Sequence, residues 1–237
     1  MSVDVAAAEH VRELRAAGLR PSDTRIRTIL KSGDAAFAPL LALATNLALL
    51  DEDEPELFAP LHALRLLGEL PKVDMILPIL REFPIDIHGE WDEIARSWAN
   101  EVPTIIGRLG AVAIAPLWAA FDDETLAHEG QAVAMLCLNC AATFDPHQRE
   151  PLIGKLRERL AIEQDATKRT HLVIGLANFG LASDYPQVLS LYREGRLDTQ
   201  ALPASVARQL LLSGGEKGMR WTNLSLAERY EQLGPLP

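Results

Sequence analysis

The chain has 237 residues, a formal net charge of −10, 48% hydrophobic residues and only 5% aromatic ones. That length and apolar content exclude a disordered polar chain and support one substantial core, or about five or six stacked hairpins sharing one. Abundant Ala and Leu with almost no alternating β-branched runs point to an all-α chain, and the lack of a basic-then-apolar leader or an apolar run of about eighteen residues leads us to expect a soluble cytoplasmic protein.

The charge is uneven. Residues 51–148 hold 18 acidic and five basic groups, a net −13, and the flanks together carry +3. Phosphate recognition needs clustered Lys and Arg that release counterions, so an acidic middle works against nucleic acid.

Residues 2–19 are predicted to form an amphipathic helix with Val5, Val11 and Leu14 on the apolar side, ending at Gly18. Pro21-Ser22-Asp23 is a start signal for a helix over 24–31, with Ile26, Ile29 and Leu30 buried. Gly33 turns the chain into 35–50. The run Asp51-Glu52-Asp53-Glu54-Pro55 reads as a solvated acidic loop ahead of the next helix; its sharper reading is an edge that recruits a basic partner. His62, beside Leu61 and Leu64, is expected to pack inside that next helix.

Residues 84–101 are the most distinctive insertion. Asp86, His88, Glu90, Asp92 and Glu93 offer oxygen and imidazole ligands, and Trp91 and Trp98 an aromatic wall. Ligand density does not by itself make a metal site, because coordination needs convergent geometry. The preferred reading is a loop, a short helix over 92–99 with Ile94 and Trp98 inward, and Pro103 opening the following helix.

Ile105, Ile106 and Leu109 sit at helical spacing before Gly110, where a helix can stop without a Cβ penalty. Pro116 then precedes Leu117, Trp118 and Phe121. A proline inside a helix costs about 3 kcal/mol, so it is expected to mark a helix opening, with Asp122, Asp123 and Glu124 as the exit loop. Cys137 and Cys140 have redox or half-zinc spacing. Only His147 lies near as a further ligand, and no strand precedes the pair, so buried packing is the preferred reading.

Residues 148–161 read as a helix with Leu152, Ile153, Leu156 and Leu160 inward and Arg149, Lys155, Arg157 and Arg159 outward. Residues 170–179 and 186–193 form the next hairpin. After an apolar helix over 206–212, the glycine-rich 213–218 lacks the Gly-Lys-Ser/Thr of a phosphate loop and is expected to act as a hinge. Residues 224–233 are then a terminal cap, with Trp221 and Tyr230 available to seal the open end of the array.

Prolines open apolar runs at positions 39, 78, 116, 151 and 186, at intervals of 39, 38, 35 and 35 residues, the length of one helical hairpin with its loop. The stretches LHALRLLGEL followed by MILPIL, and IIGRLGAVAIAPLW, resemble HEAT-type repeats. The chain is also similar to a bacterial helical-repeat family of unknown function in which a SEC-C zinc motif sometimes follows the array, a motif missing here. The resemblance implies a right-handed α-α superhelix, a HEAT-like solenoid of about five hairpins (units near 1–50, 56–84, 91–124, 126–162 and 168–195) with a cap over 200–237.

Stacked hairpins present a long concave surface, so the expected function is a non-catalytic interaction scaffold whose acidic centre takes a protein or basic peptide. Its binding candidates are Trp91, Asp92, Trp98, Trp118, Asp122, Asp123 and Glu124. Against this stand a HEAT-like enzyme, such as a DNA-repair glycosylase or a lyase with an aromatic pocket and a carboxylate, and a metal or redox protein using Cys137 and Cys140, with His88 as a further weak ligand. No cofactor is expected.

Overall fold

A computed structural model describes residues 3–83, 93–215, 218 and 220–234. Within them the chain is all-helical, with thirteen α-helices and no strand, as the composition implies. It divides into two compact units, residues 1–109 with 223–237, and residues 110–222.

The first unit begins with α1 (Val3–Arg12), α2 (Asp23–Lys31), α3 (Asp34–Ala44), α4 (Ala59–Leu67), α5 (Ile76–Arg81) and α6 (Glu93–Gly107). Ser22 caps α2 by accepting the amide of Arg25, satisfying one of the donors a helix start leaves over. Helix α3 packs on α1 and α4, and α4 on α6. Every residue of α4 is buried, including His62 and Arg65. A helix enclosed on all sides cannot place its polar groups in water, so those two side chains must find partners in the interior.

The second unit holds α7 (Ala111–Asp122), α8 (His128–Phe144), α9 (Arg149–Ile162), α10 (Ala166–Asn178), α11 (Tyr185–Arg193) and α12 (Ala204–Leu211). Helix α8 packs on α7 and α10, and α10 also meets α9 and α12. Gly175 lets α10 approach α8 and α9 closely, since a Cβ there would stand 2.7 Å from Met135 Sδ and 3.2 Å from Leu156 Cδ2. The glycine-rich stretch is not a free hinge at its first residues: Gly180, at φ +66°, lies so near that a Cβ on it would fall 1.9 Å from Gly215 N. Backbone meets backbone there, and only glycine fits.

Two helix openings differ from expectation, those at Pro103 and Pro116, whereas α3 opens at Asp34 as the turn at Gly33 implies. Helix α3 starts directly after Gly33 and α7 directly after Gly110, so Pro39 and Pro116 lie inside their helices at the sixth position. The helix start is set by the glycines, whose φ of 53° and 60° disfavours any residue with a Cβ. The stretches after them share one pattern, Gly-x-x-Ala-x-Ala-Pro-Leu, in which Ala36, Leu40, Ala113 and Leu117 are all buried. Packing of those first-turn alanines holds the helix ahead of the proline despite the lost hydrogen bond. Pro103 is likewise interior to α6. By contrast Pro78, Pro151 and Pro186 do lie in the first turns of α5, α9 and α11.

Several side-chain links within each unit span 36 to 39 residues, beside others at 27, 28, 41, 44 and 54. In the first unit Arg65 pairs with Glu101 and Arg108 with Glu69, at separations of 36 and 39 residues. In the second, Arg159 pairs with Asp122 and Asn139 donates to the carbonyl of Gly175, at 37 and 36.

The final helix, α13 (Leu226–Gln232), starts with a capping box between Ser225 and Glu228. It belongs to the first unit and packs on α4. The reason is a set of polar contacts that join Arg229 and Tyr230 to residues 125 to 168 positions earlier.

Candidate functional site

Two of the binding candidates come together in the second unit. Trp118 is half-buried and meets Phe121 edge-on at 5.7 Å, and the Arg159 guanidinium lies 5.5 Å from the Trp118 ring centre and 6.0 Å from that of Phe121. Asp122, the last residue of α7 and not an exit loop, holds Arg159 in a two-pronged pair, one contact at 2.9 Å. The pair raises the Arg159 pKa further, chiefly through the Asp122 hydrogen bonds. This arginine is therefore satisfied by its carboxylate and stacked on its aromatics. Asp123 accepts from the Thr125 amide at 2.9 Å and hydroxyl at 2.6 Å, which closes the turn after α7, while Glu124 is exposed.

Trp98 is not part of a surface wall. It is fully buried, donates its indole N–H to the Ala44 carbonyl at 3.0 Å and packs against Phe83. His88, Trp91 and Asp92 lie outside the described residues, as do Asp86 and Glu90. Cys137 and Cys140 are both buried in α8 and not joined in a disulfide, and burial pushes the Cys137 thiol well above its ordinary pKa. A thiol held protonated is a poor nucleophile and a poor metal ligand. No group of three or more His, Cys, Asp or Glu able to hold a metal occurs among the described residues.

The acidic loop of the first unit keeps its charge at the surface. Asp51, Glu52, Asp53 and Glu54 are all exposed and have no ion-pair partner among the described residues. The neighbouring carboxylates behave otherwise. Glu56 pairs with Arg15, Glu69 with Arg108 and Glu101 with Arg65. Glu56, Glu69 and Glu101 thus each hold an arginine, whereas the loop carboxylates are a surplus at the surface.

The densest chemistry is internal, between α4, α6 and α13. His62 Nε2 lies 2.7 Å from the Gly18 carbonyl, which can only accept, so Nε2 carries the proton and Nδ1 accepts from the Tyr230 hydroxyl at 3.0 Å. Burial holds this ring neutral, with its pKa lowered to about 4; the Gly18 bond opposes that shift and the charge of Arg65 adds to it. Burial likewise pushes the Tyr230 phenol up.

Arg65 donates through Nε to both Glu101 oxygens, at 2.9 and 3.1 Å, and through Nη2 to Oε1. Its Nη1 donates to the Gly234 carbonyl, and its guanidinium sits 4.7 Å from the Tyr230 ring centre. Arg229 reaches the same carboxylate from α13, donating Nη1 to Glu101 Oε2 at 3.2 Å and to Thr104 Oγ1 at 3.0 Å. Burial lowers the Arg229 pKa, against the pull of Glu101. Arg229 Nε and Nη2 are buried with no hydrogen-bond partner. Two guanidiniums, one carboxylate and a neutral imidazole leave this interior with one net positive charge.

Sequence reasoning named none of these arginines or Glu101 as functional. The available signal was Arg65 itself, a charge in the middle of LHALRLL, where the helical period leaves it no outward face once the helix is enclosed. Neither a family model, nor a curated protein, nor a solved structure matches the chain.

Proposed function

We propose that the chain is a HEAT-like repeat protein that serves as a non-catalytic scaffold and takes a basic peptide or protein segment on its acidic surface. The repeat reading is supported by several internal links that span 36 to 39 residues, the interval that stacking of successive hairpins in register would give. The observation that carries the interaction reading is the exposed, unmatched run Asp51 to Glu54, set beside half-buried carboxylates of the same unit that are each matched to an arginine. Charges left unpaired at the surface create a field that steers a partner of opposite sign.

Of the triplet after α7, Asp122 and Asp123 are occupied within the protein, so the neutralising variant belongs on the first-unit loop. Each exposed ion pair contributes roughly 0.2–1 kcal/mol. Asp51→Asn, Glu52→Gln, Asp53→Asn and Glu54→Gln together, about 0.8–4 kcal/mol, should weaken binding of a fluorescent oligolysine by about 4- to 900-fold in anisotropy titrations at low salt. Binding by the wild type should fall steeply with added salt. An oligolysine affinity equal in the variant and the wild type removes this function.

A further inference from the structure

We propose, resting on the acidic-surface reading above, that the groove between α1 and α3 is an anchor pocket for the basic segment that the loop attracts. It selects segments that carry an apolar side chain of leucine size beside their lysines or arginines. Helix α1 lines the groove with Ala8 and Val11, α3 with Pro39, Ala42 and Leu43, and the turn after α3 with Leu49. Spacings of three and four residues give each helix one face toward the groove. Ala8, Pro39 and Ala42 are exposed, while Val11 and Leu49 are buried and form the floor. The groove holds about 250 Å³, below the roughly 300–1,000 Å³ of small-molecule sites. It suits one or two apolar side chains of a peptide better than a whole metabolite.

Charge decides what kind of apolar group enters. Arg12 and Arg15 also line the groove, but each is held by a carboxylate. Arg12 Nη2 donates to Glu9 at 2.6 Å, and Arg15 donates to Glu56 through Nε at 3.1 Å and through Nη2. The run Asp51 to Glu54 joins Leu49, on the groove wall, to Glu56, which Arg15 holds at the rim. Asp51 is two residues from Leu49 and Glu54 two residues from Glu56, at most about 7 Å of extended chain. The four exposed carboxylates are thus tied to the groove at both ends, with no cation of their own. An aliphatic acid would be repelled by them, whereas a lysine next to an anchored leucine meets them. The loop then supplies a salt-sensitive attraction and the groove an apolar contribution that salt does not screen.

The test compares two fluorescein-labelled peptides in anisotropy titrations of the full-length protein. One has a leucine between two runs of four lysines, and the other has glycine in its place. The leucine peptide should bind the wild type at least about 5-fold more tightly, and that ratio should persist as salt weakens both. Ala42→Gln puts a polar chain into the groove from an exposed helical position. It should bring the two peptides within about 2-fold of each other and leave the glycine peptide unaffected. Methyl resonances of Val11, Leu43 and Leu49 should move with the leucine peptide and not with the glycine one, which locates the anchor without any variant. Equal affinities for the wild type, a leucine advantage that survives Ala42→Gln, or methyls that stay still would overturn the anchor and leave the acidic-surface reading standing. Neutralising residues 51–54 should weaken both peptides and keep their ratio. A neutralised loop that binds the glycine peptide as tightly as the wild type removes the acidic-surface reading, and the anchor with it.

Discussion

Replacing Glu101 with glutamine tests whether the buried network holds the first unit together. The amide keeps the shape and one acceptor of the carboxylate, but it removes the negative charge that Arg65 and Arg229 both pair with. Two guanidiniums would then share the interior without compensation, and the charge of Arg65 already works against the charged state of Arg229. Breaking a buried pair by removing one partner costs about 3–5 kcal/mol. Coulomb's law agrees, giving about 4 kcal/mol for unit charges 4 Å apart at an effective dielectric of 20. That is a large share of a typical stability of roughly 5–15 kcal/mol.

Urea unfolding followed by far-ultraviolet circular dichroism should therefore show the midpoint lower by roughly 1–3 M with an unchanged slope. Glu69→Gln is the control, because its pair with Arg108 is a quarter exposed on both sides, at 27% and 23%, and should cost under about 1 kcal/mol. Pairing Glu101→Leu with Arg229→Met should cost less than the two single changes added together. A Glu101→Gln protein within about 1 kcal/mol of wild type, or a Glu69→Gln protein equally damaged, would falsify the view that this network is a principal fastening of the unit.

Two further outcomes follow from the geometry. His62 has a folded pKa of about 4 against an ordinary 6.5, so the unfolded chain binds the extra proton first. Its stabilising contribution is complete above pH 6.5 and is lost as pH falls toward 4, amounting to roughly 3 kcal/mol. His171, lowered to about 4 mainly by its own burial, acts in the same direction, so His62→Gln should flatten the loss between pH 7 and 4.5 by about half; identical pH slopes in the two proteins would count against this account. Gly180 and Gly195 both sit at φ +66°, but only at Gly180 would a Cβ strike backbone, 1.9 Å from Gly215 N. Gly195→Ala should thus cost roughly 1–2 kcal/mol for the left-handed conformation alone, and Gly180→Ala about 3 kcal/mol or more; equal losses in chemical denaturation would refute the close approach.

Much of the local structure was readable before any coordinates. Helical content, the turns at Gly33 and Gly110, the inward Ile94 and Trp98, and the inward Leu152, Ile153, Leu156 and Leu160 all depend on contacts between residues a few positions apart. Their periodicity is therefore written directly into the chain. The proline rule misled at Pro116, because burial of Ala113 outweighs a propensity that isolated helices would obey. Trp118 and Asp122 could be named as candidates, but Arg159 as the group that occupies them could not, since it stands 37 residues from Asp122.

The C-terminal helix marks the boundary between the two kinds of knowledge. Its start is legible in Ser225 and Glu228, which form a local capping box. Its address is not, because the partners of Arg229 and Tyr230 lie 125 to 168 residues away. Local spacing decides whether a segment is helical and which face is apolar. Which distant carboxylate a buried arginine meets is decided only when the chain has folded, because a charge in the interior is stable next to its counter-charge and nowhere else there.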